Sequence, residues 1–413
     1  MTLVDQPALM VLCRILDTRM TPASFAMLIK DYSFEDWEKL LVLAKEEQLA
    51  PLLYTRLLVI DPGNRVPEPV SEALHETLLQ ATARNMRIMH YTGQILKTLT
   101  SSGIEVIALK GLYLAEAVYP SIGLRKFGDL DLLVHKQELG SVLNIMQSMG
   151  YVLSTYYDLA DDNRDIKHIP PMNHPGWPTV EVHWTILEED SPFRIYVDDL
   201  WKRSQPARIA DVDISALSLE DLLLHLCIHH TYQHRLQAGL RSLYDIAFIM
   251  QKYAAQINWQ KLEETASSWG AARVIALTLA LANDLFGVPV PPQAAGSVHS
   301  EVLAAARQQV LQPPEVEGRI TPDLAKIPEA HGFLSKIRLV VSRVFLPKRV
   351  LARLYNADPR SLKIYLCYWF RLRDLYKVHG LVAAKLWSGQ GSALGLAEQE
   401  QSNKQLLQWM VEG

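Results

Sequence analysis

The chain has 413 residues, of which 49% are apolar and 21% charged, with a net charge of −4. That length can bury a large core over two or three subdomains, and the slight acidity excludes a surface coated for nonspecific nucleic-acid binding. Three well-separated cysteines, Cys13, Cys227 and Cys367, exclude a disulfide framework and a cysteine zinc site. The start MTLVDQPALM lacks the basic n-region of a signal peptide. No apolar run approaches the roughly 18–20 residues of a membrane span. The expectation is a soluble, cytoplasmic protein.

Residues 1–100 read as helices. Ser33-Phe34-Glu35-Asp36 reads as a capping box opening a helix with Leu40, Leu41, Leu43 and Ala44 at helical spacing. The break DPGNRVPEP precedes a long amphipathic segment from about Val70 to Leu99. From Ile104 the texture changes: strands are predicted near 104–109, 129–135, 151–157 and 179–185, and helices near 111–118 and 136–148. The stretch 158–178 is polar, then proline-rich, holds His168, His174 and Trp177, and reads as a loop, or a short strand with a loop, next to the carboxylates. After Ser218 the pattern is helical almost to the end, with breaks at 287–296 and 312–322 and a polar tail over 388–404. No internal repeat stands out.

The stretch IEVIALKGLYLAEAVYPSIGLRKFGDLDLLV, residues 104–134, carries the most chemistry. Asp129 and Asp131 lie two apart on a predicted strand, so their carboxylates share a face and repel unless a cation sits between them. Leu130, Leu132, Leu133 and Val134 make that strand mostly buried, where an unpaired carboxylate is costly. A hard divalent cation such as Mg²⁺ or Mn²⁺ suits two such oxygens. Lys110-Gly111 falls at a strand-to-helix junction, where backbone N–H groups and the helix dipole favour phosphate. A metal on one side and phosphate on the other is equipment for a nucleoside triphosphate.

With LKG, YP, an Arg and then GDLDLLV in that order, the chain resembles the uncharacterised bacterial nucleotidyltransferases of the polymerase-β-like superfamily. It is more loosely similar to abortive-infection toxins whose cores read LKGG…R…DxDL. The likeness continues through KHIPPMNHPGWPTVEVHW (167–184) and a helix over 222–249 with a Leu-Cys-x-His stretch and a later Asp-Ile-Ala. The resemblance implies an α+β, predominantly helical fold: a small mixed-sheet core over 101–215, flanked by helices. Residues 1–100 would form the N-terminal helical region. Residues 216–290 would close the cleft, and 291–413 would form a basic C-terminal region with a polar tail.

The resemblance also implies roles. Asp129 and Asp131 would hold the metal, and Glu181 would be the third ligand or the base, although much of the superfamily has Asp there. Lys110 and Gly111 would handle phosphate where the superfamily usually has Gly-Ser, the lysine supplying charge in place of a serine hydrogen bond. Arg125 would neutralise the triphosphate or pair with a site carboxylate. His183 lies on the strand face of Glu181, touching substrate or orienting the glutamate, and His168 would line the base or acceptor pocket. Further on, His225/His229 and His230/His234 are i, i+4 pairs without an HExxH motif. The family has matching positions at His229, His234 and Asp245, which would frame the cleft; packing or a buried polar network is the other reading.

Residues 332–377 hold eleven Lys/Arg against Asp358 and Asp374, with Tyr365, Tyr368, Trp369, Phe370 and Tyr376 interleaved. They read as a helical bundle with basic outer faces or as a grip on RNA or an anionic surface. The expected activity is transfer of an NMP from an NTP to a hydroxyl on a small molecule, a protein or a tRNA. A kinase-like phosphoryl transfer at the same site, a silent binding module and a toxin role are the rivals.

Overall fold

The computed structural model describes residues 6–160, 165–294, 298–312, 345–388 and 404–411. Almost all of the predicted break at 312–322, residues 332–344 of the basic stretch and residues 389–403 of the predicted tail lie outside them. The chain opens with α1 (Gln6–Leu16), α2 (Pro22–Leu28), α3 (Phe34–Glu46) and α4 (Ala50–Ile60), then the long α5 (Glu68–Ser101). The capping box of α3 is present. The Asp36 N–H donates to Ser33 Oγ at 3.2 Å, and the Ser33 N–H donates to Asp36 Oδ2 at 2.9 Å.

Seven strands follow, interleaved with helices: β1 (Ile107–Ala108), β2 (Asp129–Leu133), β3 (Val152–Leu153), β4 (Met172–Asn173), β5 (Thr179–His183), β6 (Gln205–Ile209) and β7 (Val212–Ala216). They make one mixed sheet in the order β3-β4-β5-β2-β1-β7-β6. β2 runs parallel to β5 and antiparallel to β1, which runs parallel to β7. β1 and β3 are shorter than the predicted 104–109 and 151–157, although the backbone pairing of β1 extends to Val106 O, which accepts from the Ser215 N–H, and to the Leu109 N–H, which donates to Asp131 O, each at 3.0 Å. β4 is the short strand allowed for within 158–178, whereas β6 and β7 fall where no strand is predicted. β6 holds Pro206, which an edge strand tolerates because its missing N–H faces no partner.

Helix predominates over strand, as an α+β chain of this kind requires. The helices between and after the strands are α6 (Lys110–Tyr113), α7 (Leu139–Ser148), α8 (Val197–Arg203), α9 (Leu219–Cys227), α10 (Leu240–Tyr253), α11 (Trp259–Ser268), α12 (Ala272–Phe286) and α13 (Ser300–Val310). Two more, α14 (Lys348–Tyr355) and α15 (Ile364–Ser388), follow near the C-terminus. The N-terminal helices share one apolar core with α9 to α13, through residues such as Leu12, Phe25, Leu53, Leu223, Leu243 and Leu277. A second core forms under the sheet, where Leu130, Leu132, Val180 and Val182 meet Ile95 and Leu99 of α5 and Met146 of α7. Because strand side chains alternate, this burial sends the neighbours of those leucines and valines to the opposite face.

Near the C-terminus, Leu351, Ala352, Ile364 and Cys367 make a small separate cluster that packs on Tyr156. Arg353 donates two hydrogen bonds of 3.1 Å to Asp165, tying α14 to the loop that leads into Lys167 and His168. Tyr365, Trp369 and Phe370 of α15 are exposed on the side of the helix away from the buried Ile364 and Cys367. Among the described residues, no helix is long and apolar enough to cross a membrane.

Candidate active site

The pairing of β2 with β5 sets Asp131 directly beside Glu181. Leu130, Leu132, Val180 and Val182 are fully buried below, so Asp131, Glu181 and His183 stand together on the upper face. The Lys110 Nζ donates to Asp131 Oδ1 at 2.8 Å, and the His183 Nε2–H donates to the same oxygen at 2.9 Å. Lys110 adopts a left-handed backbone, φ +41°, a conformation that costs a non-glycine residue on the order of 1–3 kcal/mol. Burial works against the ionised Asp131, but Lys110 and His183 outweigh it and hold this carboxyl well below the usual aspartate range.

Glu181 is half-buried, its carboxylate 3.6 Å from His183 Nε2 and 3.7 Å from His168 Nε2. The His183 N–H, too distant for a full hydrogen bond, holds Glu181 below the usual glutamate range. His168 donates from Nδ1 to its neighbour's carbonyl, Ile169 O, at 2.7 Å, which leaves an Nε2 lone pair on the side of Glu181. Burial lowers the pKa of His168, so the ring is neutral. Asp129 lies at the exposed mouth, and its carboxyl is pushed up by partial burial and then by repulsion from Asp131 and Glu181. All three carboxylates therefore act on one space.

One donor atom each from Asp131, Glu181 and His183 lies within 4.8 Å of the others. Asp129, which the sequence places with the ligands, falls outside this tight group, and His183 takes its place within it. Two hard carboxylates, with a third facing them, suit an oxygen-preferring divalent cation, while the His183 Nε2–H is engaged with Asp131; the Lys110 ammonium is the positive charge the protein itself supplies.

A cleft of about 630 Å³ opens above these residues. Six cationic side chains line it: Arg84, Lys110, Arg125, Lys126, Lys167 and Arg241. His229, His234 and Asp245, from the segments around α9 and α10, form part of its wall. Burial, then the nearby Lys110, brings Lys167 down to about 8. Arg84, Lys126, Lys167 and Arg241 are not legible as site residues in the sequence, since a lone basic residue on a helix or loop carries no motif. The proximity of Lys126 to Arg125 and of Lys167 to His168 was the only available signal.

Arg125 pairs with a carboxylate, but one from the opposite wall. Its Nε and Nη2 donate to Asp245 at 2.9–3.2 Å, and the Tyr119 hydroxyl donates to Asp245 Oδ1 at 2.8 Å. Gly111 lies against this arginine. A Cβ there would come within 2.7 Å of Arg125 Nη1 and 3.1 Å of Phe127 Cβ. Because Asp245 holds the guanidinium in place, Gly111→Ala should lower stability by about 1–3 kcal/mol, read as a fall in the thermal unfolding midpoint.

The histidine helix departs from the expected i, i+4 pairing. Past Cys227 the backbone widens into a π-helical segment, Ile228–Gln233, closed by a His234 N–H to His229 O bond of 3.0 Å. His230 is thereby turned into the core, fully buried, and neither of its ring nitrogens finds a partner among the described residues. The rings of His225 and His229 are 6.1 Å apart, whereas the Nε2 atoms of His229 and His234 lie 3.1 Å apart.

Residues 33–287 match the profile of a family described as uncharacterised nucleotidyltransferase. No curated protein matches the chain.

Proposed function

The chain belongs to this uncharacterised nucleotidyltransferase family, and from that premise we propose that it moves a nucleoside monophosphate from an NTP to a hydroxyl acceptor with Mg²⁺ or Mn²⁺. The observation that carries this reading is the lateral pairing of Asp131 with Glu181 on adjacent strands, beside Lys110 and under a cation-lined cleft. Asp131, Glu181 and Asp129 would hold the metal, which supplies charge neutralisation at the α-phosphate when bound. His183 keeps the Asp131 carboxylate oriented through its 2.9 Å hydrogen bond.

Lys110, Lys167 and Arg241 bear on the triphosphate, and Gly111 lets the chain approach without a side chain in the way. The acceptor hydroxyl oxygen bonds to the α-phosphorus as the bond to the β-phosphate oxygen breaks, and pyrophosphate leaves. The hydroxyl proton passes to His168 at Nε2, whose lone pair is free because Nδ1–H is engaged with Ile169 O. The lowered pKa of Glu181 suits a ligand better than a base.

Incubation with Mg²⁺, cell extract and NTP labelled at either the α- or the γ-phosphate tests the proposal. Label should enter an acceptor from the α position alone, with pyrophosphate released. Transfer from the γ position would instead establish a kinase, and no transfer from any NTP would remove the proposal.

A dependence on pH follows from Lys167. With a pKa of about 8 in the free protein, its ammonium is lost as pH rises through that value, while a bound triphosphate favours the protonated form. Binding therefore takes up a proton, and affinity for a non-hydrolysable NTP should weaken as pH rises from 7 through about 8 to 9. Titration calorimetry should show this slope in the wild type and a flatter one in Lys167→Met.

A further inference from the structure

The π-helical segment Ile228–Gln233 has a consequence that the proposed nucleotide chemistry does not use. In a regular helix, residues five apart point in different directions; in a π register they stack, which is why His229 and His234 stand side by side. A π-helical turn is rare in globular proteins and is frequently found at functional sites; a second one here, Leu114–Val118, follows directly on α6, which opens with Lys110 and Gly111. The Ile228–Gln233 segment turns two imidazoles towards the cleft, and both line it.

We infer that His229 and His234 form a two-histidine site for a borderline transition-metal ion of the Zn²⁺, Co²⁺ or Ni²⁺ class, separate from the carboxylate group on the sheet. The two Nε2 atoms are 3.1 Å apart and the ring centroids only 4.3 Å apart. In an end-on hydrogen bond the centroids would be separated by the nitrogen distance plus both ring radii, well beyond that value. The rings instead meet at a 60° tilt with one Nε2–H directed at the other Nε2, and an ion replacing that proton would face both nitrogens. A separation of 3.1 Å also matches two neighbouring ligands on one ion, each at about 2.0–2.1 Å.

Ligand chemistry separates the two sites. Neutral imidazole suits zinc, cobalt and nickel, whereas oxygen donors such as Asp129, Asp131 and Glu181 suit magnesium. Burial lowers the pKa of both His229 and His234, so each offers a lone pair near neutral pH. With two protein ligands, the remaining positions are open to water or to an anionic oxygen of whatever occupies the cleft. The charges of Lys110 and Lys167 reach both imidazoles and oppose a bare cation, so an anionic co-ligand completes the site.

Co²⁺ titration of the purified protein in excess Mg²⁺, with inorganic phosphate as co-ligand, tests the inference without reference to catalysis. The wild type should develop a visible Co²⁺ absorption band that Mg²⁺ does not displace. His229→Gln and His234→Gln should each weaken it by about ten-fold or more. The double variant Asp129→Asn/Asp131→Asn should retain it, as should His90→Ala at an exposed histidine elsewhere. In the wild type, Zn²⁺ should also protect His229 and His234, but not His90, from carbethoxylation read by peptide mass.

Cobalt fully displaced by Mg²⁺, unchanged binding in both glutamine variants, or unprotected His229 and His234 would each overturn the inference. None of these bears on the nucleotide reading, because no nucleotide is present.

Discussion

Asp131→Asn should abolish nucleotide transfer, lowering the rate by about 10³-fold or more, and should also destabilise the protein. Asp129→Asn should lower the rate to a similar extent without that cost. The two aspartates share a strand face but differ in surroundings. Asp131 is the buried counter-charge of Lys110 and the acceptor for His183, with only 5% of its side chain exposed. An amide there keeps an acceptor oxygen but leaves the Lys110 ammonium without a charge partner, at about 1–3 kcal/mol.

Asp129 instead lies at the mouth and is repelled by Asp131 and Glu181, so neutralising it removes a strain on the metal-free protein. The Asp131 carboxyl, lowered in the folded state, contributes stability that is present above the ordinary aspartate range and lost as pH falls through its folded value. Acid unfolding of Asp131→Asn should therefore be shallower than that of the wild type. Steady-state rates and thermal unfolding from pH 3 to 7 read both effects. Wild-type turnover in either variant would remove the carboxylates from the mechanism.

Asp245→Ala should be among the most destabilising single changes in the chain, at about 3–5 kcal/mol. Asp245 and Arg125 are both buried, with 2% and 8% of their side chains exposed. Removing the carboxylate strands an ionised guanidinium away from water and also takes the acceptor from the Tyr119 hydroxyl. The backbone of Arg125 is fixed by its carbonyl accepting from Asn85 at 2.8 Å, and its side chain lies against Gly111. The combined change Arg125→Met/Asp245→Ala should recover much of the loss, because two buried charges leave together and the apolar side chain fills the space. Chemical denaturation of the four proteins measures the cycle. A loss in Asp245→Ala no larger than that of a surface substitution would show that the pair does not hold the two walls of the cleft together.

This pair also revises the sequence-based view of Arg125. Four residues before Asp129, it read as a group for the triphosphate or for a site carboxylate. Its partner lies 120 residues further along the chain, on α10, and nothing in the local sequence identifies it. Arg125 thus joins the segment before β2 to α10, while Lys167 and Arg241 line the cleft without such a motif.

Local physics made a large part of the molecule readable from its sequence. Strand alternation assigned Asp129 with Asp131, and Glu181 with His183, to common faces before any pairing was known. The capping box at Ser33 and the long helix up to Ser101 follow from neighbours three and four apart. The motif order LKG, Arg, DLD and VEVHW identified the family, because each motif depends on residues adjacent in the chain. What remained hidden depended on distant partners or on a change of period. The edge pair β6 and β7 depends on β1 and on each other for its hydrogen bonds. The register that sets Asp131 beside Glu181 comes from burying Leu130, Leu132, Val180 and Val182 in one core. The histidines read as i, i+4 pairs because a regular helix has 3.6 residues per turn. Packing widened that turn, sending His230 inward and bringing His229 to His234. Periodicity is a property of the chain, whereas the choice of partner is made only when the core closes.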